Sequence, residues 1–324
     1  MSGPRIVVTR RLPESAIALL EETGDVWVSP HDRPLTVEEL HAAVAGADAI
    51  VTLLHDRVDG ALLDAAGPQL RCAANVAVGY DNVDVPAATQ RGVRVTNTPG
   101  VLTEATADCA MALILMTTRR FGEGERLIRR REPWSWHLFF LLGSGLQGKT
   151  LGVVGLGAIG KAVARRARAF GMRIAYFEPQ PVPPEIEQEL EARPVPLDEL
   201  FATADVVTLH VPLTEETRHL VDADRLRSMR RDAYLVNTTR GPVVDEAALA
   251  DALRDRIIAG AGLDVFENEP EVHPGLLELD NAVLLPHLGS ATIETRTAMA
   301  ELAARNALAV LAGESPPTPV NALP

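Results

Sequence analysis

The stretch Leu151-Gly-Val-Val-Gly155-Leu-Gly157-Ala158-Ile159-Gly160-Lys161 decides the fold. Leu151 to Gly155 reads as a buried strand and Lys161 to Phe170 as a helix, with three glycines in G-x-G-x-x-G spacing at the joint. Each glycine answers a physical need. Gly155 permits the tight turn, Gly157 lets the backbone approach a pyrophosphate, and Gly160 lets the helix lie close to the strand. The helix N-terminus, opened by Ala158 and Ile159, offers unpaired N–H groups and a positive dipole end to phosphate. Together these features predict a dinucleotide site. Glu178 closes the next strand, eighteen residues beyond Gly160, where a carboxylate accepts hydrogen bonds from the adenosine ribose hydroxyls. A 2′-phosphate there would be repelled by Glu178, and Pro179 to Pro184 hold no Lys or Arg to neutralise it. NAD is therefore expected, with NADP as the alternative.

Outward from this motif, short Val/Ile-rich strands alternate with Ala/Leu/Arg-rich helices. That is the pattern of an α/β protein with doubly wound parallel sheets. On the N-terminal side the strands are Ile6–Thr9, Val26–Val28, Ala49–Leu53, Leu70–Ala74 and Val93–Asn97, followed by one long helix, Thr103–Thr118. Phe121 to Gly148 is polar and aromatic without clear strands. On the C-terminal side the strands are Arg173–Glu178, Asp205–His210, Ala233–Asn237, Ile258–Asp264 and Ala282–Leu285. A helix from Ala291 to Leu311 and a Pro-rich tail complete the chain. The Pro179–Pro184 cluster reads as a loop, because proline lacks the amide donor.

The bulk numbers narrow the function. A chain of 324 residues suits two domains rather than one. Its net charge of −13 argues against a nucleic-acid or anionic-membrane partner, which would need a basic field. The N-terminus runs straight into a strand without a signal pattern, and no apolar run is long enough to span a bilayer. Cys72 and Cys109 both lie in apolar stretches, so two buried thiols and a cytoplasmic location are expected.

Six blocks of sequence carry a resemblance. They are Asn75-Val-Ala-Val78-Gly79-Tyr-Asp-Asn-Val, Asn97-Thr-Pro-Gly-Val-Leu-Thr103-Glu-Ala-Thr-Ala-Asp and the glycine motif from Gly148. The others are Asn237-Thr238-Thr239-Arg240-Gly-Pro-Val-Val-Asp, Gly262-Leu-Asp264-Val-Phe-Glu-Asn-Glu269-Pro and Leu285-Pro-His287-Leu-Gly289-Ser-Ala-Thr. In this order they resemble the D-isomer-specific 2-hydroxyacid dehydrogenases, above all the glyoxylate/hydroxypyruvate reductase branch. The resemblance implies a flavodoxin-like substrate domain (1–99 plus 290–324) and a Rossmann cofactor domain (100–289). It also implies NAD(P)H-dependent, reversible reduction of a small 2-keto acid to the D-2-hydroxy acid.

The residues suit that chemistry. The ketone must be polarised, the carboxylate held and a proton delivered to oxygen as hydride reaches carbon. Arg240 follows a strand, where ligands bind in open α/β sheets, and its planar fork can bridge carboxylate and carbonyl oxygens. His287 also follows a strand, before the flexible-looking Gly289, and imidazole can give up and regain a proton as the reaction reverses. Glu269 would hydrogen-bond the far ring nitrogen and fix its orientation. The resemblance gives these three residues the same roles. It places the substrate carboxylate on the backbone N–H groups of Val78 and Gly79, with Leu53 as a wall of the pocket. It places Thr103, Val211, Pro212, Thr238, Thr239, Asp264 and Gly289 beside the cofactor and reads His210, the rival histidine, as structural. It requires no metal. The stretch Trp134-Ser-Trp136-His-Leu-Phe-Phe140 resembles the family's dimerisation arm and implies a homodimer.

Departures from the pattern are few. Glu178-Pro179 stands where the branch often has Ser or Asn followed by Arg, suited to NADP. Thr239 replaces a commoner Ser or Ala. Formate-oxidising relatives have Gln at the position of Glu269, and phosphite-oxidising ones have Lys at that of Val78. Two other readings share the fold. One is a dinucleotide-sensing co-repressor, which needs a peptide groove. The other is a dehydrogenase of a larger sugar-derived acid, which needs extra basic residues near the first-domain loop, where only Arg57 and Arg71 are candidates.

Overall fold

The computed structural model describes residues 3–323. In chain order it starts with β1 (Arg5–Val8), α1 (Glu14–Glu21), β2 (Asp25–Val28), α2 (Val37–Val44), β3 (Ala49–Thr52), α3 (Gly60–Ala66), β4 (Cys72–Asn75), α4 (Val85–Gln90) and β5 (Arg94–Thr96). There follow α5 (Thr103–Thr118), α6 (Phe121–Arg129), β6 (Thr150–Val154), α7 (Ala158–Ala169), β7 (Arg173–Phe177), α8 (Pro184–Leu190), β8 (Ala192–Pro194), α9 (Leu197–Thr203) and β9 (Val206–Leu209). The chain ends with α10 (Ala223–Ser228), β10 (Tyr234–Asn237), a 3-10 turn (Gly241–Val243), α11 (Glu246–Arg254), β11 (Gly260–Leu263), α12 (Pro274–Leu277), β12 (Ala282–Leu284) and α13 (Ile293–Leu311). Two compact units result, Met1–Leu102 with Ala291–Pro324, and Thr103–Ser290.

The first unit is built on a parallel five-stranded sheet in the order β2-β1-β3-β4-β5. Its inner strands β1, β3 and β4 are buried on both faces apart from Arg5, because helices cover both, whereas the edge strand β2 is only partly buried. Helix α13 packs on α1 and β4, and the tail after it is stitched to the edge strand β5. Asn321 accepts the Val95 N–H at 2.8 Å and donates to the Val93 carbonyl at 3.0 Å, so one side chain satisfies edge groups that would otherwise need another strand.

The second unit has a parallel seven-stranded sheet in the order β12-β11-β10-β9-β6-β7-β8. The order reverses at β6, which pairs with β7 on one side and β9 on the other. Such a switch point opens a crevice beyond the carboxyl ends of the strands. Register aligns those ends, since Val154 faces both Phe177 and Leu209, Asn237 faces both Leu209 and Leu263, and Leu263 faces Leu284.

Two expectations change, those for Pro184 and Cys109. Pro184 does not belong to the loop but opens α8, because the missing amide of proline costs nothing in a helix's first turn. The aromatic stretch after α5 begins with a helix, α6. Cys109 is only half-buried while Cys72 is fully buried, and both are free thiols. Among the described residues no helix is long and apolar enough to cross a membrane.

Candidate active site

Two of the three glycines of the β6–α7 turn are explained by a close backbone neighbour, and the third is not. Gly155 has φ +93°, and a Cβ there would lie 2.6 Å from the His210 carbonyl oxygen. A Cβ on Gly160 would lie 2.1 Å from the Gly155 carbonyl oxygen, so α7 could not approach the strand. A Cβ on Gly157 would meet nothing within 4 Å. Nothing in the folded chain demands glycine at 157, so the demand comes from outside. Gly157 caps α7 without any side-chain hydrogen bond, and the first-turn amides stay open to an anion. The turn therefore fits a dinucleotide pyrophosphate. Ala158 and Ile159 lie in that first turn.

Glu178 follows β7 directly, and its Oε2 accepts the Leu156 N–H at 2.5 Å, which fixes the carboxylate beside the glycine turn. Arg193, which could have offset its charge, pairs instead with Glu199 at 2.9 Å. Val211 and Pro212 follow β9, and Thr238 and Thr239 follow β10, so the same edge gathers every one of them.

The β10 end is shaped by a residue not singled out from the sequence. Asn237, almost fully buried, accepts from the Thr239 N–H at 3.0 Å and its hydroxyl at 2.7 Å, and donates to the Arg240 carbonyl at 2.9 Å. This wraps the turn that carries Arg240 around one amide side chain. Gly241 then lets that turn touch the Phe266–Glu267 backbone, where any Cβ would collide.

Glu269 lies on that neighbouring segment, its Oε1 accepting the Phe266 N–H at 3.1 Å. Its Oε2 stands 2.8 Å from His287 Nδ1. His287 is held in turn by Asp264. The Asp264 carbonyl accepts the His287 N–H at 2.9 Å, and its carboxylate accepts those of Leu288 at 2.6 Å and Gly289 at 2.7 Å. Burial raises the Asp264 carboxyl above the usual range, partly offset by those amide bonds. Gly289 is consequently buried and pinned rather than flexible. His210, by contrast, has its imidazole pushed down to about 3 by burial and is held at 2.9 Å from Thr208 Oγ1. It is unsuited to proton exchange near neutral pH.

The first unit, taken by itself, brings its predicted residues together as well. Leu53 follows β3, and Val78 and Gly79 follow the adjacent β4. Asn75 donates to the Gly79 carbonyl at 3.0 Å, Asn97 to the Val78 carbonyl at 2.8 Å, and Asn82 to the Leu53 carbonyl at 3.2 Å. Three asparagines thus fix the carbonyls of this loop. Arg71 lies just before the opposite end of β4 and donates to the Leu311 carbonyl, while Arg57 is exposed beside Asp59. Neither makes a basic pocket at the loop. Among the described residues no cluster of His, Cys, Asp or Glu is placed to hold a metal.

A glycine turn at a switch point, an acid after the next strand and a histidine–carboxylate pair on the same edge define a dinucleotide-linked oxidoreductase. Residues 111–289 match the description "D-isomer specific 2-hydroxyacid dehydrogenase, NAD binding domain". A glyoxylate reductase of Thermococcus onnurineus is 50% identical over 98% of this chain and 96% of its own. A solved protein of Thermus thermophilus superposes with a TM-score of 0.91 at 47% identity, covering 98% of this chain and 100% of that one. An NADPH-dependent glyoxylate/hydroxypyruvate reductase of Sinorhizobium meliloti, solved with NADP and malonate, gives 0.85 at 38% identity, covering 98% and 97%. The chain belongs to the D-isomer specific 2-hydroxyacid dehydrogenase family and is an NAD-binding oxidoreductase.

Proposed function

We propose that this chain reduces a small 2-keto acid of the glyoxylate/hydroxypyruvate type to the D-2-hydroxy acid, reversibly and with NADH in preference to NADPH. The observation that carries the proposal is the 2.8 Å contact of His287 Nδ1 with Glu269, on the sheet edge that also holds Arg240 and the glycine turn. A bound nicotinamide supplies the hydride. Arg240 binds the substrate and polarises its carbonyl, since a guanidinium fork suits two adjacent oxygens. Glu269 takes the Nδ1 side of the ring and leaves Nε2 to deliver the proton to the carbonyl oxygen. In the oxidative direction the same nitrogen takes the proton back. The Val78–Gly79 loop supplies backbone N–H groups for the carboxylate, and Leu53 supplies apolar wall.

Thr103, Val211, Pro212, Thr238, Thr239, Asp264 and Gly289 line the cofactor in this reading. The NADH preference rests on Glu178, whose charge opposes a 2′-phosphate. The Sinorhizobium relative is solved with NADP, so the preference is argued from Glu178 of this chain and not from the family. The exposed arm around Trp134 and Trp136 supports a homodimer.

The test is oxidation of NADH and NADPH against a panel of 2-keto acids, beside His287→Ala and Arg240→Ala. NADH is expected to be preferred, and each variant to lose at least about a hundredfold in kcat/KM. Full turnover in His287→Ala would remove the proton donor, and a clear NADPH preference would overturn the reading of Glu178. Absence of any keto-acid turnover would favour a dinucleotide-sensing role.

A further inference from the structure

Helix α11 starts in an unusual way. Asp245 caps it by accepting the Ala248 N–H at 2.9 Å, and Glu246 occupies the first helical position. A first-turn acid normally stands in solvent near the positive helix end. Glu246 is instead only 4% exposed. A buried carboxylate is costly unless its oxygens are satisfied, and burial raises its carboxyl above the usual range while nearby Glu267 adds to the rise and the backbone amides and His273 oppose it.

Its partners are informative. Glu246 Oε1 accepts the Glu267 N–H and Oε2 accepts the His273 N–H at 3.2 Å. Glu267 reciprocates, with its Oε2 accepting the Glu246 N–H at 3.2 Å. Its Oε1 lies 2.5 Å from His219 Nε2, and the His219 N–H donates to the Pro242 carbonyl at 2.8 Å. Pro242 belongs to the 3-10 turn that follows Arg240. Two acids therefore grip one another's amides, and His219 ties that grip to the Arg240 turn. The adjoining amide completes the linkage, because Phe266 N–H donates to Glu269 while Glu267 N–H donates to Glu246. Gly241 packs against the Phe266–Glu267 peptide, whose N–H is the one Glu246 holds.

We infer that Glu246, with Glu267 and His219, is a positioning residue that fixes the Glu269 carboxylate against His287 by clasping the 266–269 segment to the Arg240 turn. The clasp rests on the reading of Glu269 as the group that orients His287, and it acts only through Glu269. A mere brace for α11 would contribute stability without this coupling.

The decisive experiment is a double-mutant cycle on the full chain, with Glu246→Gln, Glu269→Gln and both, assayed for kcat and KM with NADH and glyoxylate. Gln at 246 keeps the volume but offers one acceptor where two amides point. Glu246→Gln is expected to lower kcat about tenfold with KM for NADH within twofold. In the Glu269→Gln background the same change is expected to cost less than twofold. Equal losses in the two backgrounds would overturn the clasp. An unchanged kcat in Glu269→Gln alone would instead sink the assigned role of Glu269.

A second readout needs no turnover. The hydrogen-bonded Nδ1–H of His287, assigned by its loss in His287→Ala, is followed by proton NMR in the full chain. Glu246→Gln and Glu246→Ala are expected to broaden it or move it upfield by more than about 1 ppm, at a melting temperature showing that the protein is folded. A resonance unchanged in both overturns the inference. Should Glu246→Ala fail to fold, the Gln variant alone decides.

Discussion

His287 carries its imidazole on a backbone with φ +55°, a region that costs a non-glycine residue about 1–2 kcal/mol. The turn sustains this because Asp264 binds three successive amides, those of His287, Leu288 and Gly289. His210 stands at the end of β9 but in the opposite electrostatic situation. Unfolded, its ring takes up a proton near 6.5, whereas in the fold burial delays this to about 3. The unfolded chain therefore binds more protons below 6.5. The stability tied to this ring is fully present above that pH and falls as pH drops toward 3, by about 1.4 kcal/mol per unit. His210→Gln is expected to flatten the decline of unfolding free energy between pH 6.5 and 4.5, by about 1 kcal/mol per unit relative to the parent. Urea titrations across that range check it, and parallel slopes for the two proteins would contradict it.

At the level of elements, the glycine turn separates fold from ligand. Gly160→Ala sets a Cβ against the Gly155 carbonyl and is expected to destabilise by about 1–3 kcal/mol. Gly157→Ala meets open space and is expected to leave the melting temperature within about 2 °C while raising the Kd for NADH at least about tenfold. Thermal unfolding and NADH fluorescence titration measure the two effects, and equal stability losses would refute the distinction. This turn could be read directly in the sequence because strand, glycine spacing and helix are contiguous there. Most strands could also be read, since a parallel strand buried on both faces is an apolar run. Their bounds differ by one or two residues, because the sequence does not mark where the last ladder bond falls. Glu246 left no such trace. An acid following Asp at a helix start is what any N-terminus shows, and its partners lie 21 and 27 residues downstream. Asn237 and the Asn75, Asn82 and Asn97 set leave no trace for the same reason, as asparagines at strand ends and in loops look alike until the fold shows which carbonyls they hold. Pro184 misled because a proline after a run of prolines reads as loop, yet it suits the first position of a helix.

On the scale of the molecule, charge and apolar exposure pull against each other. A net charge of −13 makes two copies repel. Yet Trp136, Leu138 and Phe139 are each more than 70% exposed, and Trp134 stacks on Phe140 with ring centroids 6.1 Å apart. A concentrated apolar patch of this kind is what an interface buries, and aromatic side chains dominate interface energetics. Apolar burial acts at contact, whereas the repulsion is screened beyond about 8–10 Å at physiological salt. The proposed homodimer should therefore hold, and hold better, as salt rises. Sedimentation velocity at micromolar protein is expected to show a dimer at about 0.1 M NaCl and no dissociation at about 0.5 M. Trp136→Asp combined with Phe139→Asp places two charges in the patch and is expected to yield a folded monomer, with the Glu269–His287 pair intact in its own unit. A monomeric parent, or a dimer unmoved by the double change, would place the subunit contact elsewhere or remove it.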